Sequence, residues 1–229
     1  MKPFFSISLE GNIGAGKTTI LKKLKNKTSI SDHPLSTAEE PVKFWSDAEN
    51  GNPLSAFLKN KKRLAGAFQA LCLTTLDSKK RKPQTNAIVL EERSIHSSNF
   101  VFRECLFKNN LLCKETNKML EISYNLIATK PKHKTTGFIY LKSTPEIVFE
   151  RIKKRNFKAD KLLDKNYISD LHIKHEEWLN NTEVPVYTIN ADIPITTGQI
   201  TEAIMWLIQN DKEKNELNSL QGNNSSETE

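Results

Sequence analysis

Residues 11–18 read Gly-Asn-Ile-Gly-Ala-Gly-Lys-Thr, directly behind an apolar run over residues 4–9. This G-x-x-x-x-G-K-[ST] spacing constrains the fold more than any other feature, because it works only where a strand feeds the turn and a helix leaves it. A helix starting near Lys17 turns its unpaired backbone N–H groups and the positive end of its dipole toward the loop. Gly11, Gly14 and Gly16 let the backbone bend closely around an anion, with Asn12, Ile13 and Ala15 between them. Lys17 brings a full positive charge to the outer phosphates. Thr18 offers a hydroxyl to Mg²⁺, and Thr19 follows on the same helical turn. The loop implies binding of a nucleoside triphosphate and leaves open what receives the phosphoryl group.

The rest of the chain repeats the alternation. Apolar β-type runs recur at 87–91, 137–141 and 184–189, with a weaker one at 36–39. Helical periodicity fills 54–80, 99–107, 115–128, 145–155, 164–179 and 197–208. Strands alternating with helices imply parallel pairing with right-handed crossovers, and phosphate sites at the carboxyl ends of the strands. The expectation is an α/β three-layer fold of the P-loop NTPase type. One domain covers 1–210, with a central parallel sheet flanked by helices, and residues 211–229 form a disordered polar tail rich in Asn, Ser and Glu.

Composition excludes several partners. The net charge of +7 comes from 34 basic and 27 acidic residues. Its clusters at 22–23, 59–63, 79–82 and 153–155 read as solvated helix faces, with no aromatic–basic interleaving or recognition motif for a nucleic acid. Three cysteines, Cys72, Cys105 and Cys113, without a C-x-x-C, imply neither a disulfide framework nor a zinc site. No segment is long and apolar enough to span a membrane. The first strand begins almost at the N-terminus, which leaves no room for a signal or transit peptide, so the expected location is cytoplasmic.

Three constellations follow the loop. Glu39-Glu40-Pro41-Val42-Lys43-Phe44-Trp45 lies just beyond the second strand, where a carboxylate can face an acceptor. Glu91-Glu92-Arg93-Ser94 ends the third strand, where a carboxylate can join a Mg²⁺ shell and an arginine can bind phosphate or fix a second carboxylate. Residues 151–158, from Arg151 through Arg155 to Lys158, have the spacing of a basic lid. Each has a plainer alternative: an exposed carboxylate before a proline turn, an ion pair at a strand end, a solvated helix face.

Taken in order, these stretches resemble the deoxynucleoside kinase family across residues 4–190, with Phe68-Gln69 and Ile95-His96-Ser97 as further matches. The resemblance implies phosphoryl transfer from ATP, with Mg²⁺, to a nucleoside 5′-hydroxyl. It makes Glu40 the base and Arg93 its support, and Glu92 with Thr18 the Mg²⁺ ligands. Lys17, Arg151 and Arg155 then become the phosphate grip, with a lid near 151–160. It assigns Gln69 to the base edge, Phe102 to stacking, and Trp45 and Phe68 to the pocket wall. It also implies a homodimer. The chain departs from the family where a tyrosine would hold the sugar 3′-hydroxyl: Leu58 stands there, and its carboxylate partner is the shorter Asp160. Phe157 replaces a basic lid residue. Leu76 and Ser98 stand where deoxycytidine kinase-like members carry Arg and Asp, and Glu92-Arg93-Ser94-Ile95-His96-Ser97 is closer to the mitochondrial thymidine kinase branch, which favours pyrimidines and thymidine first. Three other readings stay open: a non-catalytic nucleotide-binding protein on the same fold, a nucleoside monophosphate kinase, and a nucleotide switch, although no Asn-Lys-x-Asp guanine signature occurs.

Overall fold

A computed structural model describes residues 4–47, 49, 51–79, 87–155 and 157–224. Among them β1 (Phe5–Glu10), β2 (Ser29–Ile30), β3 (His33–Ala38), β4 (Ile88–Glu92), β5 (Gly137–Lys142) and β6 (Val186–Asn190) form one sheet in the order β2-β3-β4-β1-β5-β6. All neighbours pair parallel except the short β2, which runs antiparallel to β3. β1 lies between β4 and β5 and is buried along its whole length. Its alternation of Phe5, Ile7 and Leu9 with Ser6 and Ser8 therefore marks no exposed face, because both serines are buried as well. The three-layer expectation holds.

The loop's glycines answer two different demands. At Gly11, φ is +142° and a Cβ would sit 2.7 Å from the Leu141 carbonyl oxygen, so only a residue without a side chain lets β1 and β5 meet there. Gly16 caps α1 (Lys17–Leu24) at φ 98°, and a Cβ there would meet nothing within 4 Å. It serves backbone conformation and leaves the space above the helix N-terminus open.

One face of the sheet packs Ile7, Leu9, Ile139 and Leu141 against Ile20, Leu21 and Leu24 of α1 and Ile204 and Leu207 of α10 (Thr197–Asn224). The other face packs Phe138 and Tyr140 on Leu171 and Trp178 of α9 (Lys165–Leu179). Each such side chain contributes about 1.5–3 kcal/mol by leaving water.

The structure departs from the sequence reading in four places. The single helix expected over 54–80 is two, α3 (Pro53–Lys59) and α4 (Lys61–Lys79), broken at Asn60, whose backbone is non-helical (φ −139°, ψ 65°). The Asn60 side chain accepts the Arg63 N–H at 3.4 Å, so it offers the chain an alternative to helix continuation. A short helix, α2 (Val42–Ser46), was not anticipated. The segment read as one helix over 99–107 begins with α5 (Ile95–Ser97), passes through a π-helical turn (Ser98–Arg103) and ends as α6 (Glu104–Lys108). Finally, α10 continues to Asn224, through positions where the sequence reading places a disordered tail. Polar side chains four residues apart pair on it, Gln209 with Glu213 at 2.8 Å and Asn215 with Asp211 at 3.1 Å. Polarity alone does not oppose a helix when such pairs line one face. Residues 225–229 lie outside the described residues, as do 80–82 of one basic cluster.

Candidate active site

A cavity of about 860 Å³ opens at the carboxyl ends of the strands. It is lined by loop and helix residues from Ile13 to Thr19, by Glu40, Trp45, Leu58, Phe68, Gln69, Leu76, Glu92, Arg93, Ser98 and Phe102, and by Arg151, Arg155 and Asp160. Two expected binding residues lie behind that surface. Gly11 and Asn12 do not line the cavity; their carbonyls accept from Lys17 Nζ at 2.8 and 2.9 Å. Asn12 also ties the loop to α9, donating from Nδ2 to the Ile168 carbonyl at 2.9 Å.

The ammonium of Lys17 is buried, and its pKa is lowered from 10.5 to about 8. Loss of solvation is the largest cause, followed by Arg93; Glu92, Glu40 and Glu10 oppose the shift. One residue on, Thr18 donates from Oγ1 to Glu92 Oε1 at 2.7 Å. A hydroxyl and a carboxylate beside a phosphate loop are hard oxygen donors of the kind Mg²⁺ takes when most of its shell is phosphate and water, so the residues present fit that ion. Among the described residues, no three His, Cys, Asp or Glu side chains cluster as an all-protein metal cage.

Arg93 is the hub. It is only 3% exposed and sits at φ 62°, a left-handed conformation that turns the chain sharply as it leaves β4. Its Nε lies 2.7 Å from Glu40 Oε1, its Nη2 donates to the Gly11 carbonyl at 3.5 Å, and its guanidinium stacks 4.5 Å from the Phe102 ring centroid. Nη1 is buried with no hydrogen-bond partner among the described residues. A buried donor left free beside a carboxylate and a phosphate loop is suited to an oxygen-rich ligand.

Two supports of this hub and one segment of the cavity wall were missed in the sequence. Glu10 ends β1 fully buried, and its Oε1 accepts from Ser94 N at 2.9 Å, Ser94 Oγ at 2.6 Å and Ser8 Oγ at 2.8 Å. Lys79, read as part of a solvated cluster, instead donates to the carbonyls of Glu92 at 2.5 Å and Arg93 at 3.1 Å. Burial holds its pKa below the ordinary value. The segment after β6, with Ala191, Ile193, Pro194 and Ile195, also lines the cavity. A carboxylate at the end of an apolar run and the exit of the last strand were legible signals for the first and third. Nothing in the spacing of 79–82 distinguishes Lys79 from its neighbours.

Two lid arginines are engaged otherwise than expected. Arg155 donates from Nε and Nη2 to the two oxygens of Asp160, both at 2.8 Å. Arg151 donates to the carbonyls of Ala191 at 2.7 Å and Asp192 at 3.1 Å. At the other end of the cavity, Gln69 Oε1 accepts from Ser98 Oγ at 3.4 Å, which leaves its amide N–H₂ free to donate. Phe68 stacks on Phe57 (centroids 4.6 Å apart) and meets Trp45 edge-on, so it is both core and wall.

A family model described as deoxynucleoside kinase matches residues 7–211. The chain belongs to the deoxynucleoside kinase family. It is 30% identical over 191 residues to human mitochondrial thymidine kinase 2, covering 81% of this chain and 70% of that protein. It is also 30% identical over 232 residues to deoxycytidine kinase 2 of Gallus gallus (92% and 86%), and 27% over 218 residues to mitochondrial deoxyguanosine kinase of Xenopus laevis (81% of each). Among the described residues, no helix is long and apolar enough to cross a membrane.

Proposed function

We propose that the chain transfers the γ-phosphoryl group of ATP to the 5′-hydroxyl of a deoxynucleoside, with pyrimidines preferred and thymidine first. The observation that carries this reading is the Glu40–Arg93 pair held in the same cavity as Lys17, Thr18 and Glu92. An alcohol is a poor nucleophile, and a positioned carboxylate that takes its proton is the contribution such a reaction lacks in water. Glu40 is half-buried and aligned by a buried guanidinium, so it can act as that base. Arg93 Nη1 is free to meet the acceptor oxygen or the incoming phosphoryl group. Lys17 and the α1 N-terminus hold the donor phosphates. Arg155 reaches the transferring group only after leaving Asp160. Thr18 and Glu92 would hold Mg²⁺, which would supply charge neutralisation at the phosphates. An acceptor already carrying a phosphate would not need Glu40, which disfavours a nucleoside monophosphate.

Base preference rests on Gln69, Leu76 and Ser98. A single amide beside small or apolar walls can donate to and accept from one base edge, with no buried charge to select cytosine. Equal identity to a thymidine kinase and a deoxycytidine kinase does not decide it. The reading includes a homodimer, supported by an apolar stripe, Met119, Ile122 and Leu126, exposed along one face of α7 (Lys114–Ala128). It also includes a cytoplasmic location, supported by three free cysteines and checked by fractionating cells that express the tagged chain.

The test is phosphorylation of thymidine, deoxycytidine, deoxyadenosine, deoxyguanosine and dTMP with ATP and Mg²⁺, beside Glu40→Gln. The expected result is turnover of thymidine first, with kcat reduced about 10²- to 10⁴-fold in the variant. Purine preference sinks the base assignment. Full activity in Glu40→Gln, or turnover of dTMP alone, sinks the mechanism.

A further inference from the structure

Arg93 is the first residue beyond the β1–β4 ladder, whose last pair is Leu9 with Glu92. Its φ of 62° costs energy in a residue with a Cβ and persists only where the surroundings impose it. Nothing in an arginine side chain favours it, since arginine lacks the short polar group with which Asn or Asp stabilises this conformation locally. The constraint comes from β1, which grips the chain on both sides of the residue.

Upstream, the Arg93 N–H donates to the Leu9 carbonyl at 3.1 Å. Downstream, Glu10 Oε1 accepts from the Ser94 N–H at 2.9 Å and from its hydroxyl at 2.6 Å. The same oxygen accepts from Ser8 Oγ at 2.8 Å, which steadies the carboxylate. Ser94 Oγ in turn accepts the N–H groups of His96 and Ser97 at 3.2 and 3.4 Å and so caps α5. Ser8, Glu10 and Ser94 are buried, so water does not compete for these bonds. Lys79 adds a third hold, on the Arg93 carbonyl at 3.1 Å. With the backbone fixed before and after it, Arg93 turns left-handed and its Nε meets Glu40 Oε1 at 2.7 Å. Glu10 stands directly before Gly11, so a role in the phosphate loop is the alternative. Among the described residues, however, its side-chain hydrogen bonds run to Ser8 and Ser94 and to none of residues 11–18.

We propose that Glu10 is a positioning residue for the transfer step: its carboxylate holds Ser94, Ser94 keeps Arg93 left-handed, and Arg93 aims Glu40 at the acceptor. This rests on the reading of Glu40 as the base. The relay crosses the carboxyl ends of three neighbouring strands, β1, β4 and β3.

The experiment combines nucleoside kinetics, ATP calorimetry and crystal structures of the full chain as wild type, Glu10→Asp, Glu10→Gln and Ser94→Ala. Thermal midpoints report folding. Aspartate keeps the charge but withdraws the carboxylate by one methylene, about 1.5 Å. Glutamine keeps the length and an acceptor oxygen. Glu10→Asp is expected to lower kcat about 10- to 100-fold with the Kd of ATP within about threefold. Glu10→Gln is expected to stay within about fivefold of wild-type kcat, and Ser94→Ala to lose about 3- to 10-fold with ATP affinity unchanged. In crystals of Glu10→Asp, Arg93 should leave the left-handed region or its Nε should leave hydrogen-bonding distance of Glu40. Unchanged kcat in Glu10→Asp overturns the proposal, as does unchanged kcat in Ser94→Ala where Glu10→Asp does not fold. Loss of ATP affinity matching the loss of kcat overturns it in favour of the loop role. A loss in Glu10→Gln as large as in Glu10→Asp overturns it in favour of charge alone, and an unmoved Arg93 in the Glu10→Asp crystals overturns it outright. Wild type that phosphorylates no nucleoside overturns the reading of Glu40 as the base, and with it the catalytic role of Glu10; the crystal structures then still decide the hold on Arg93.

Discussion

The lowered pKa of Lys17 makes ATP affinity fall with alkaline pH in a range where few lysines titrate. Only the ammonium form attracts phosphate, and in the free protein that form is lost as pH rises through about 8. If ATP binds the charged form alone, the apparent Kd scales with one plus the ratio of neutral to charged lysine. Relative to pH 7.5, Kd then rises about 3-fold at pH 8.5 and about 25-fold at pH 9.5. Phosphate groups themselves, with a second pKa near 6, do not titrate in this window. Bound phosphate restores the charge on Lys17, so binding at pH 8.5 takes up about 0.8 proton, read as a dependence of the heat on buffer ionisation enthalpy. The sign for stability is the opposite. The unfolded lysine, at 10.5, holds its proton to higher pH than the folded one. Its contribution to stability therefore rises with pH between about 8 and 10.5, by about 3 kcal/mol. Calorimetry at three pH values with wild type, Lys17→Met and Lys79→Met is the assay. Lys17→Met should bind weakly with no slope. Lys79→Met should keep the slope, because Lys79 bonds the β4 exit and not the phosphate loop. A flat wild-type Kd with no buffer-dependent heat would refute the reasoning.

Two further outcomes are expected. Removing the Lys79 ammonium orphans the carbonyls of Glu92 and Arg93, so Lys79→Met should cost about 1–3 kcal/mol in urea unfolding and lower kcat, with part of both restored in Lys79→Arg; unchanged stability in Lys79→Met counts against the strut. Light scattering should give a two-chain mass for wild type and a one-chain mass for Leu126→Glu, and a monomeric wild type removes the α7 face from consideration.

The phosphate loop and the alternation of strands and helices around it were legible because they depend on residue type at short spacing, and the Glu40, Glu92 and Arg93 cluster was legible through the family resemblance. The bounds of α8 (Pro145–Arg155) were legible because Pro145 suits the first helical position directly after Thr144 as a cap. What escaped depends on contacts between distant segments. Lys79 looks like any lysine of its cluster until β4 is placed beside it. The resemblance assigns Arg155 to the phosphates, whereas a carboxylate five residues on competes for it. The break at Asn60 escaped because apolar periodicity continues through it, and only the local backbone geometry separates α3 from α4.

The π-helical turn at Ser98–Arg103 has a consequence for how this cavity can be altered. A π turn holds one residue more than the α-helical turn it interrupts. Ser98, against Gln69, and Phe102, against Arg93, are thus set relative to each other by chain length as much as by side-chain identity. Point substitutions here change the volume and polarity of the base end. Deleting a single residue would return the segment to α-helix and rotate one of the two side chains by about 100° relative to the other. Size and aim of the pocket are therefore separate variables, reached by different kinds of genetic change.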